Sequence, residues 1–376
     1  MTGSPQDLLD LYFRARAVAF RYRLDTFQDE ALKDMLATFD EARAEILREI
    51  NAKLDTMSDF RKERLSALLE YTDEVTAGIR KELGGKYAEM SATVATPAMV
   101  ETASALSVGG LSKVAVSMVE LSPTQLRAFF QSTPLGGRLI DRWVDASFDA
   151  TVQRELRKAI NTGIVQGEGY AKLNRRALQK AAENGINLAR RESITLTRTF
   201  VSAANTEARD MVYRQNRDII KGYVWQTMGD NLVCHLCLPL HGREFKLGEG
   251  PEQPRHPSCR CVKRPVTLTF REMGIDMDEF NQELDRWVVR GKVGKDGELI
   301  VKNIDVGGRN EILKISRAAT AEEWLKSLSP AELRSTTLGQ TRISMLEQGS
   351  IELKHLLRPD FSYRTIKELE VIANAR

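Results

Sequence analysis

One stretch of this sequence, CHLCLPLHGREFKLGEGPEQPRHPSCRC at residues 234–261, constrains the fold more than any other. It contains all 4 cysteines of the 376-residue chain and three of its 4 histidines. Isolated reduced cysteines often serve as small apolar fillers. Their concentration at one- and two-residue spacings is instead typical of a metal site in a reducing compartment, and it argues against disulfides.

Five side chains of this stretch are candidate metal ligands, namely Cys234, Cys237, His256, Cys259 and Cys261. Zinc in a structural site takes four ligands in a tetrahedron, so one candidate is in excess. One set combines the first three with either Cys259 or Cys261, which we favour, and the other set consists of the four cysteines alone. Residues two apart on an extended chain face opposite sides, so the last two cysteines can share an ion only if the backbone turns at Arg260.

The expected role of the metal is structural. A closed site of thiolates and imidazole leaves no open position for water, whereas catalytic zinc keeps an exchangeable one. Structural zinc can contribute about 10–16 kcal/mol of apparent binding free energy to such a module. That exceeds what a few short strands supply by burial, so we expect bound Zn2+ and no enzyme activity.

The remaining histidines are weaker candidates. His235 and His241 lie inside the stretch, where either is a candidate surplus ligand or catalytic base. No acidic residue stands at a spacing that would orient them, so we interpret both as plain turn or surface histidines. His355, near the C-terminus, has no partner in the sequence pattern and is expected on a solvated helix face.

Four basic residues surround the second half of the stretch, namely Arg255, Arg260, Lys263 and Arg264. They are candidate contacts for nucleic-acid phosphates. Alternatively, they offset the excess negative charge of a thiolate-rich zinc site, and we prefer this interpretation because it requires no partner. The formal net charge of +3 indicates neither a strongly nucleic-acid-binding surface nor a membrane-surface protein.

The overall composition is that of a soluble globular protein, with 28% charged and 42% hydrophobic residues. The length predicts two or three domains. No apolar run is long enough to span a membrane, and acids and arginines occupy the N-terminus where a signal peptide would be apolar. We therefore expect a protein that is made and folded in the cytosol and has no membrane segment.

The N-terminal third shows helical periodicity. Apolar residues recur every three or four positions in 5–24, 27–57 and 65–83, and the last stripe runs into Gly84-Gly85, a predicted helix stop. We favour an antiparallel helical hairpin over an extended partner-binding coiled coil, because the stripes are short. Residues 91–111 are rich in small side chains, which predicts either a hinge between domains or a small-residue helix buried against neighbours. A membrane-active segment is a third, less favoured alternative, because Glu101 interrupts the apolar run.

Further helices are predicted at 140–164, 170–183 and 187–215, the last two separated by Asn184-Gly185. The segments IIKGYVWQTM, REFKL and CVKRPVTL then predict short strands around the cysteine stretch. Beyond them we expect a helix near Met277 to Val289, a hairpin in GKVGKDGELIVKN, a helix at 321–328 and a helical tail. This C-terminal piece has the pattern of an appendage.

Together these patterns predict an α+β fold that is mainly α-helical. The expected order is an N-terminal helical region at 1–90, a small-residue linker or packing segment at 91–130, a helical middle domain at 131–270 and a helical C-terminal extension at 271–376. A small zinc-binding β module at 225–265 lies inside the middle domain.

The segment GYVWQTMGDNLVCHLCLPLHGREF, followed by PRHPSCRC, resembles the signature of the phage head morphogenesis family, the Mu-F-like minor head proteins. The shared features are a Trp-x-Thr strand, an Asp, Cys-x-x-Cys, a Gly before a short strand and His-Pro-x-Cys-Arg-Cys. In this chain they fall at Trp225, Thr227, Asp230, Cys234, Cys237, Gly242, His256, Pro257, Cys259, Arg260 and Cys261.

The resemblance extends over roughly residues 130–268 and, with weaker motifs, over 320–370. One departure lies in the helix before the cysteine stretch, where Phe200 follows Arg198-Thr199. The family usually carries Glu at this position, so its absence argues against an active site in this helix.

The resemblance implies a minor capsid protein, a late protein of the virion located inside the phage head near the portal. Its implied roles are head assembly and DNA packaging or ejection, after synthesis in the host bacterial cytoplasm. The implied partners are the portal protein, on which we expect the N-terminal region to dock, and also the major capsid protein and packaged DNA.

The alternative interpretation is a phage zinc protein that processes or binds DNA. A nuclease-like site would use His235 or His241, and a binding module would use the four basic residues. A nuclease also needs a general base and usually a second metal on carboxylates, and no spacing in the sequence supplies them.

Overall fold

The structure is a computed structural model, and the fold is mainly α-helical with small antiparallel sheets, as the sequence predicts. Its contacts divide the chain into two compact units, each built from separate stretches: unit 1 from Met1–Thr26, Pro97–Glu120 and Asn205–Arg376, and unit 2 from Phe27–Thr96 and Leu121–Ala204. The expected contiguous boundaries at 90, 130 and 270 do not coincide with this division. The residues that the structure describes are 5–55, 62–107, 116–117, 119–135, 137–166, 175–230, 232–269, 271–274, 291–293, 299–306, 309–315 and 320–375.

Two long helices, α1 (Pro5–Asp55) and α2 (Lys62–Leu106), occupy the N-terminal third. The predicted division of α1 near residue 25 is wrong. Arg21 Nη2 donates to Asp25 Oδ1 at 2.8 Å, one helical turn away. Such a pair of opposite charges at i and i+4 supports a continuous helix, and no Gly or Pro interrupts the sequence there.

Within unit 2, the two helices run antiparallel. Lys86 Nζ donates to Thr38 Oγ1 at 2.8 Å, and the Tyr71 hydroxyl donates to a carboxylate oxygen of Glu49. The contact nearer the N-terminus of α2 is thus the one nearer the C-terminus of α1. This is the predicted helical hairpin.

Helix α2 continues through Gly84-Gly85, so the predicted stop is wrong. Leu83, Tyr87 and Ala88 are all at most 1% exposed. Packing of this apolar face outweighs the cost of two glycines, which is about 1 kcal/mol each relative to Ala. Residues 91–106 are the end of the same helix, and their many buried small side chains favour the packing alternative over the hinge.

The middle of the chain is also helical, but with fewer breaks than expected. The helix at Arg175–Gln215, α6, is continuous through Asn184-Gly185, where a Cβ on Gly185 would lie only 3.0 Å from the Cα of Val152. The glycine therefore permits close helix packing within unit 2 and does not end a helix. The elements are α3 (Pro123–Ser132), α4 (Ile140–Val144), a π-helical turn (Asp145–Asp149), α5 (Ala150–Gln166) and α6 (Arg175–Gln215).

Aromatic packing explains the departure at Phe200. Its ring is 2% exposed and lies 5.0 Å from the ring of Tyr87 and 6.3 Å from that of Trp143, measured between centroids. A glutamate here would place a carboxylate among aromatic rings, at a large desolvation cost. In this chain the position contributes to the core of unit 2.

The three strands predicted around the cysteine stretch form an antiparallel sheet in unit 1, in the order β2-β1-β3. The strands are β1 (Ile220–Gln226), β2 (Glu244–Lys246) and β3 (Val262–Thr267). In the register, Val224 pairs with both Glu244 and Arg264. The central strand β1 is almost wholly buried, so the sheet forms a firm base for the loops that carry the cysteines.

A second antiparallel sheet follows, in the order β4-β5-β6. Its strands are β4 (Gly291–Val293), β5 (Leu299–Val306) and β6 (Arg309–Ile315). The predicted hairpin corresponds to β4 and β5, whereas β6 had no counterpart in the prediction. The helix predicted near residues 277–289 lies outside the described residues.

The C-terminal segment, residues 320–375, contains four short helices: the predicted helix at 321–328 is confirmed, and the predicted helical tail consists of the other three. They are α7 (Ala321–Ser327), α8 (Pro330–Ser335), α9 (Gln340–Glu347) and α10 (Ile366–Asn374). Reciprocal capping boxes, in which a Ser or Thr and a Glu three residues later each bond the other's backbone, begin α7, α8 and α10. Such caps explain how helices of six to nine residues are stable.

This segment is not an appendage, contrary to the expectation. It shares one buried cluster with the loop that holds the first two cysteines, so both fold around the same apolar surface. The members of this C-terminal cluster are Val233, Leu238, Ala321, Trp324, Leu338, Ile343, Ile351, Leu353, Leu356 and Leu369.

Candidate metal centre

Two turns of unit 1 carry the five candidate ligands. The first lies in residues 232–241, here called the metal loop, where the N–H groups of Cys237 and Leu238 donate to the Cys234 carbonyl at 3.1 and 3.0 Å. The second precedes β3 and is closed by a bond of 3.2 Å from Cys259 N–H to His256 O. Gln226, at the end of β1, pairs with Val262, at the start of β3, so both turns lie near the same end of the sheet and ligands far apart in sequence can meet.

The donor atoms form two groups of three that share Cys237. One group is completed by Cys234 and His256 and the other by Cys259 and Cys261, and within each group the donor atoms lie within 4.8 Å of one another. Cys234 Sγ and His256 Nε2 are 2.9 Å apart, and Cys237 Sγ and Cys259 Sγ are 3.8 Å apart. Among the residues that the structure describes, these are the donor groups close enough to hold a metal ion.

One donor distance matches a tetrahedral metal site. Sulfurs bound about 2.3 Å from a tetrahedral zinc are separated by ~3.8 Å, which matches the Cys237 to Cys259 distance. Both Cys259 and Cys261 reach Cys237, after a left-handed residue at Ser258 with φ of 57°. Cys259 and Cys261 therefore do not point to opposite sides, as they would on an extended chain. Either thiol can be the fourth ligand.

Mutual contacts control the charge of the thiols. A hydrogen bond with Cys237 is the main cause that lowers the pKa of Cys234 to about 5. Burial lowers the pKa of His256, but contacts with Cys234 and Cys259 outweigh it and raise that pKa to about 10. Hydrogen bonding to Cys234 raises the pKa of Cys237. Ionising every thiol is unfavourable without a cation, and a divalent metal removes this conflict by neutralising the thiolates.

Neighbouring groups orient the ligands. His256 Nδ1 lies 2.8 Å from the Pro257 carbonyl, to which it donates, so Nε2 is left to face Cys234. Gly242 has φ of 80° and its N–H donates to the Trp225 carbonyl at 2.9 Å, which returns the chain to the sheet after the metal loop. Trp225 itself is fully buried. Three residues of the quoted motif therefore have structural roles around the candidate site.

An ionic chain links Arg260, which lies between two candidate ligands, to helix α1. Arg260 Nη1 donates to Asp230 Oδ2 at 2.7 Å and its Nη2 to Asp25 Oδ2 at 3.3 Å. The other oxygen of Asp25 accepts from Arg21, whose side chain is 1% exposed. The motif residues Asp230 and Arg260 thus pair with each other, and Arg260 also pairs with the N-terminal helix.

The proposed phosphate contacts are not supported for Lys263 and Arg264. Lys263 Nζ pairs with Asp210 Oδ2 at 2.5 Å, and Arg264 pairs with Asp10. Their side chains are 11% and 5% exposed, so carboxylates within the fold already neutralise them. The preferred interpretation was that these basic residues offset the negative charge of the thiolates. Lys263 and Arg264 instead offset the charge of the carboxylates of Asp210 and Asp10. Arg255 is half-buried and has an Nε atom without a hydrogen bond.

His235 lies half-buried in the turn of the metal loop, as predicted, whereas His241 and His355 differ from the prediction. His241 is buried, and its Nδ1 accepts from Thr227 N–H at 3.1 Å, which gives the Trp-x-Thr motif a structural role. The His235 ring packs against the ring of Tyr363 with centroids 4.7 Å apart. His355 Nδ1 accepts from Glu352 N–H at 2.9 Å and so caps a short turn. Each of these three histidines therefore has a contact within the fold that explains its position.

The sequence patterns do not predict the contacts that the C-terminal segment makes with the metal loop. Trp324 Nε1 donates to the Gly229 carbonyl at 3.1 Å, and Thr337 Oγ1 donates to the Val233 carbonyl at 3.0 Å. In each pair the two residues are about 100 positions apart in sequence, and hydrophobic periodicity cannot predict a contact over that separation. The weak resemblance of residues 320–370 to the same family was the available signal.

The fold and the site define a mainly helical protein with a thiol-rich candidate metal site beside a small antiparallel sheet. A family model described as phage Mu protein F like protein matches residues 154–264, a range that includes α6 and all five candidate ligands. This match confirms the resemblance to the phage head morphogenesis family. No curated protein and no solved structure matches the chain. Within the described residues, no helix is both long and apolar enough to cross a membrane.

Single substitutions are expected to identify the fourth ligand. Losing a side chain that only supports a ligand typically lowers metal affinity by about 10- to 100-fold. Of Cys259→Ser and Cys261→Ser, the one that removes a ligand itself should therefore lower zinc affinity by more than about a hundredfold. Competition with a chromophoric chelator under reducing conditions measures both. His256→Gln tests the set of four cysteines. If those four thiols are the ligands, this variant should still bind zinc, and if His256 is a ligand, it should not. Unchanged affinity in all three variants would contradict a zinc site built from these residues.

Proposed function

We propose that this chain is a minor head protein of a tailed phage, bound at the portal inside the head, where it acts in head assembly and in DNA packaging or ejection. The observation that carries the proposal is the family match over 154–264, which encloses the complete candidate metal site. The matched segment is thus also the part of the chain that a metal would hold together.

We further propose that the metal is zinc and that its role is structural. The donors are thiolates and imidazole, the ligands of structural zinc, and three of the four thiols are buried. With four protein ligands chosen from five, no coordination position remains for a substrate or water. The site would therefore stabilise the loops and the sheet.

The nuclease alternative has weaker support. Its candidate bases are engaged elsewhere, His241 with Thr227 and His235 against Tyr363. In the described part of the chain, the donor groups able to hold a metal are the two thiol groups, and neither contains a carboxylate. Incubation with DNA and Mg2+ tests this alternative: cutting that is lost in His235→Ala or His241→Ala would favour it.

Co-expression of the tagged chain with the portal protein of the same phage tests the proposed partner. Deleting the N-terminal region would confound the test, because Asp10, Arg21 and Asp25 belong to ionic contacts inside unit 1. Charge reversal at exposed positions of the hairpin, Glu41→Lys with Lys81→Glu, leaves those contacts intact.

The expected result is co-purification with the portal protein, which the hairpin double variant weakens. Lys367→Glu, at an exposed position of α10, is the matched control and should retain binding. Circular dichroism confirms that each variant is folded. Full binding by the double variant would contradict docking through this face of the hairpin, and absence of binding by the unmodified chain would contradict the portal as the partner.

A further inference from the structure

The C-terminal segment contains a groove that the proposed function does not use. It lies among α7, α8 and α9 and has a volume of about 560 Å3, within the range of protein binding pockets. Aliphatic side chains make up most of its lining, including Leu325, Leu328, Leu333, Ile343, Leu346 and Leu353. Such a lining suits the apolar face of a helix.

The floor of this groove is held in place from below. Ile343 and Leu353 are each 4% exposed and belong to the C-terminal cluster, which also contains the fully buried Leu338 and Leu356. Leu325, Leu328, Leu333 and Leu346 are only partly buried and pack against the same cluster. The floor is therefore part of a packed core, while the walls keep apolar surface available for an occupant.

The charged residues that line the groove are mainly acidic. Glu322, Glu347 and Glu352 face one basic residue, Lys326. Glu352 also pairs with Lys354 at 2.8 Å, but both of these side chains are more than 45% exposed, where an ion pair contributes little. Glu322 and Glu347 are exposed. The rim consequently favours an occupant that carries positive charge beside its apolar side chains.

We propose that this groove binds an amphipathic helix of another protein, with aliphatic residues at i, i+3 or i+4 and i+7 and with Lys or Arg beside them. The aliphatic floor would take the apolar face, and Glu322 and Glu347 would contact the flanking cations. An apolar small molecule or lipid would use the floor but gain nothing from the acidic rim. The proposal does not depend on the portal assignment.

The test uses the full zinc-loaded chain and two synthetic helical peptides. Both peptides carry leucines at i, i+3 and i+7; one has lysines at the flanking positions and the other has glutamates. Fluorescence anisotropy measures their binding at low and high salt. The lysine peptide is expected to bind at least about tenfold more tightly, and this preference should shrink as salt screens the rim.

Charge reversal supplies the decisive variant. Glu322→Lys with Glu347→Lys is expected to reverse the preference so that the glutamate peptide binds more tightly, and both positions are exposed, so the fold should be retained. Glu370→Lys, at an exposed position of α10 outside the groove, is the matched control and should leave the preference unchanged. Leu346→Asn should weaken both peptides by removing apolar surface.

Three outcomes would overturn the proposal: neither peptide binds, both bind equally, or the double variant keeps the original preference. Equal binding would indicate an apolar pocket without charge selection, such as a lipid or small-molecule site. Thermal melting of each variant excludes unfolding as the cause of a lost signal. These results leave the portal experiment untouched, because the hairpin substitutions and the groove substitutions lie in different units.

Discussion

Removal of zinc by a chelator is expected to release the C-terminal segment, residues 320–375, as well as to unfold the metal loop. The loop supplies Val233 and Leu238 to the C-terminal cluster. Its neighbourhood also supplies carbonyl acceptors to Trp324 and Thr337. A loop without its metal no longer holds these groups in one arrangement, so the segment loses part of the surface on which it packs.

Hydrogen exchange followed by mass spectrometry measures this release on the full chain. Amides between residues 324 and 356 should exchange faster after chelation and regain protection when zinc is restored. Amides around Leu83 to Ala98, which are deeply buried in α2, report whether the whole protein has unfolded. Full protection of the C-terminal segment while the metal loop exchanges freely would show that the two are not coupled.

Thermodynamic linkage demands the reciprocal effect. Leu356→Ala removes no ligand, yet it should lower zinc affinity, because it weakens the packing that supports the metal loop. Coupling free energies of this kind typically correspond to about 5- to 150-fold changes in affinity. Leu356 is fully buried, and Val371→Ala, at a side chain that is 69% exposed, is the control expected to leave affinity unchanged.

The substitution Asp25→Ala is expected to destabilise the protein by about 3 kcal/mol. Its carboxylate lies between Arg21 Nη2, at 2.8 Å, and Arg260 Nη2, at 3.3 Å. The Arg21 side chain is only 1% exposed, so its charge loses a close carboxylate in a place that water hardly reaches. Breaking a buried ion pair by removing one partner is far more costly than losing an exposed pair.

Urea denaturation of the zinc-loaded protein measures this effect. Asp29→Ala, one turn further along α1, is the matched control, because Asp29 is 69% exposed and lies 3.8 Å from its partner Arg198. The control should change stability by less than about 0.5 kcal/mol. Because Arg260 stands between Cys259 and Cys261, Asp25→Ala should also weaken zinc binding. Equal stability of the two variants would contradict a structural role for the ionic chain.

Local patterns predicted much of the candidate site. The spacing of the cysteines and His256 identified all five donors, and the alternation of β1 and β3 identified the sheet beneath them. Both are short-range signals, since a turn and a strand depend on residues close in sequence. The choice of four ligands from five was not predictable, because it depends on the exact approach of two loops that are 18 residues apart.

Helix ends were predicted less well, for one physical reason. Gly84-Gly85 and Asn184-Gly185 are strong local stop signals, yet both lie inside continuous helices. At Gly185 the missing side chain lets Val152 approach closely. Tertiary packing can therefore use a glycine inside a helix, and propensity alone does not reveal which use applies.

The sequence by itself determined the helical character, the strands around the cysteines, the candidate metal donors and the resemblance to the phage Mu F-like family, because each depends on residue type and short spacing. Only the tertiary structure decided which charges are neutralised inside the fold, as at Lys263 and Arg264, and that the C-terminal segment packs on the metal loop. Those outcomes depend on contacts between residues far apart in sequence, such as Lys263 with Asp210, 53 positions apart, and Arg264 with Asp10, 254 positions apart. Burial makes such contacts strong, and burial is a property of the folded chain.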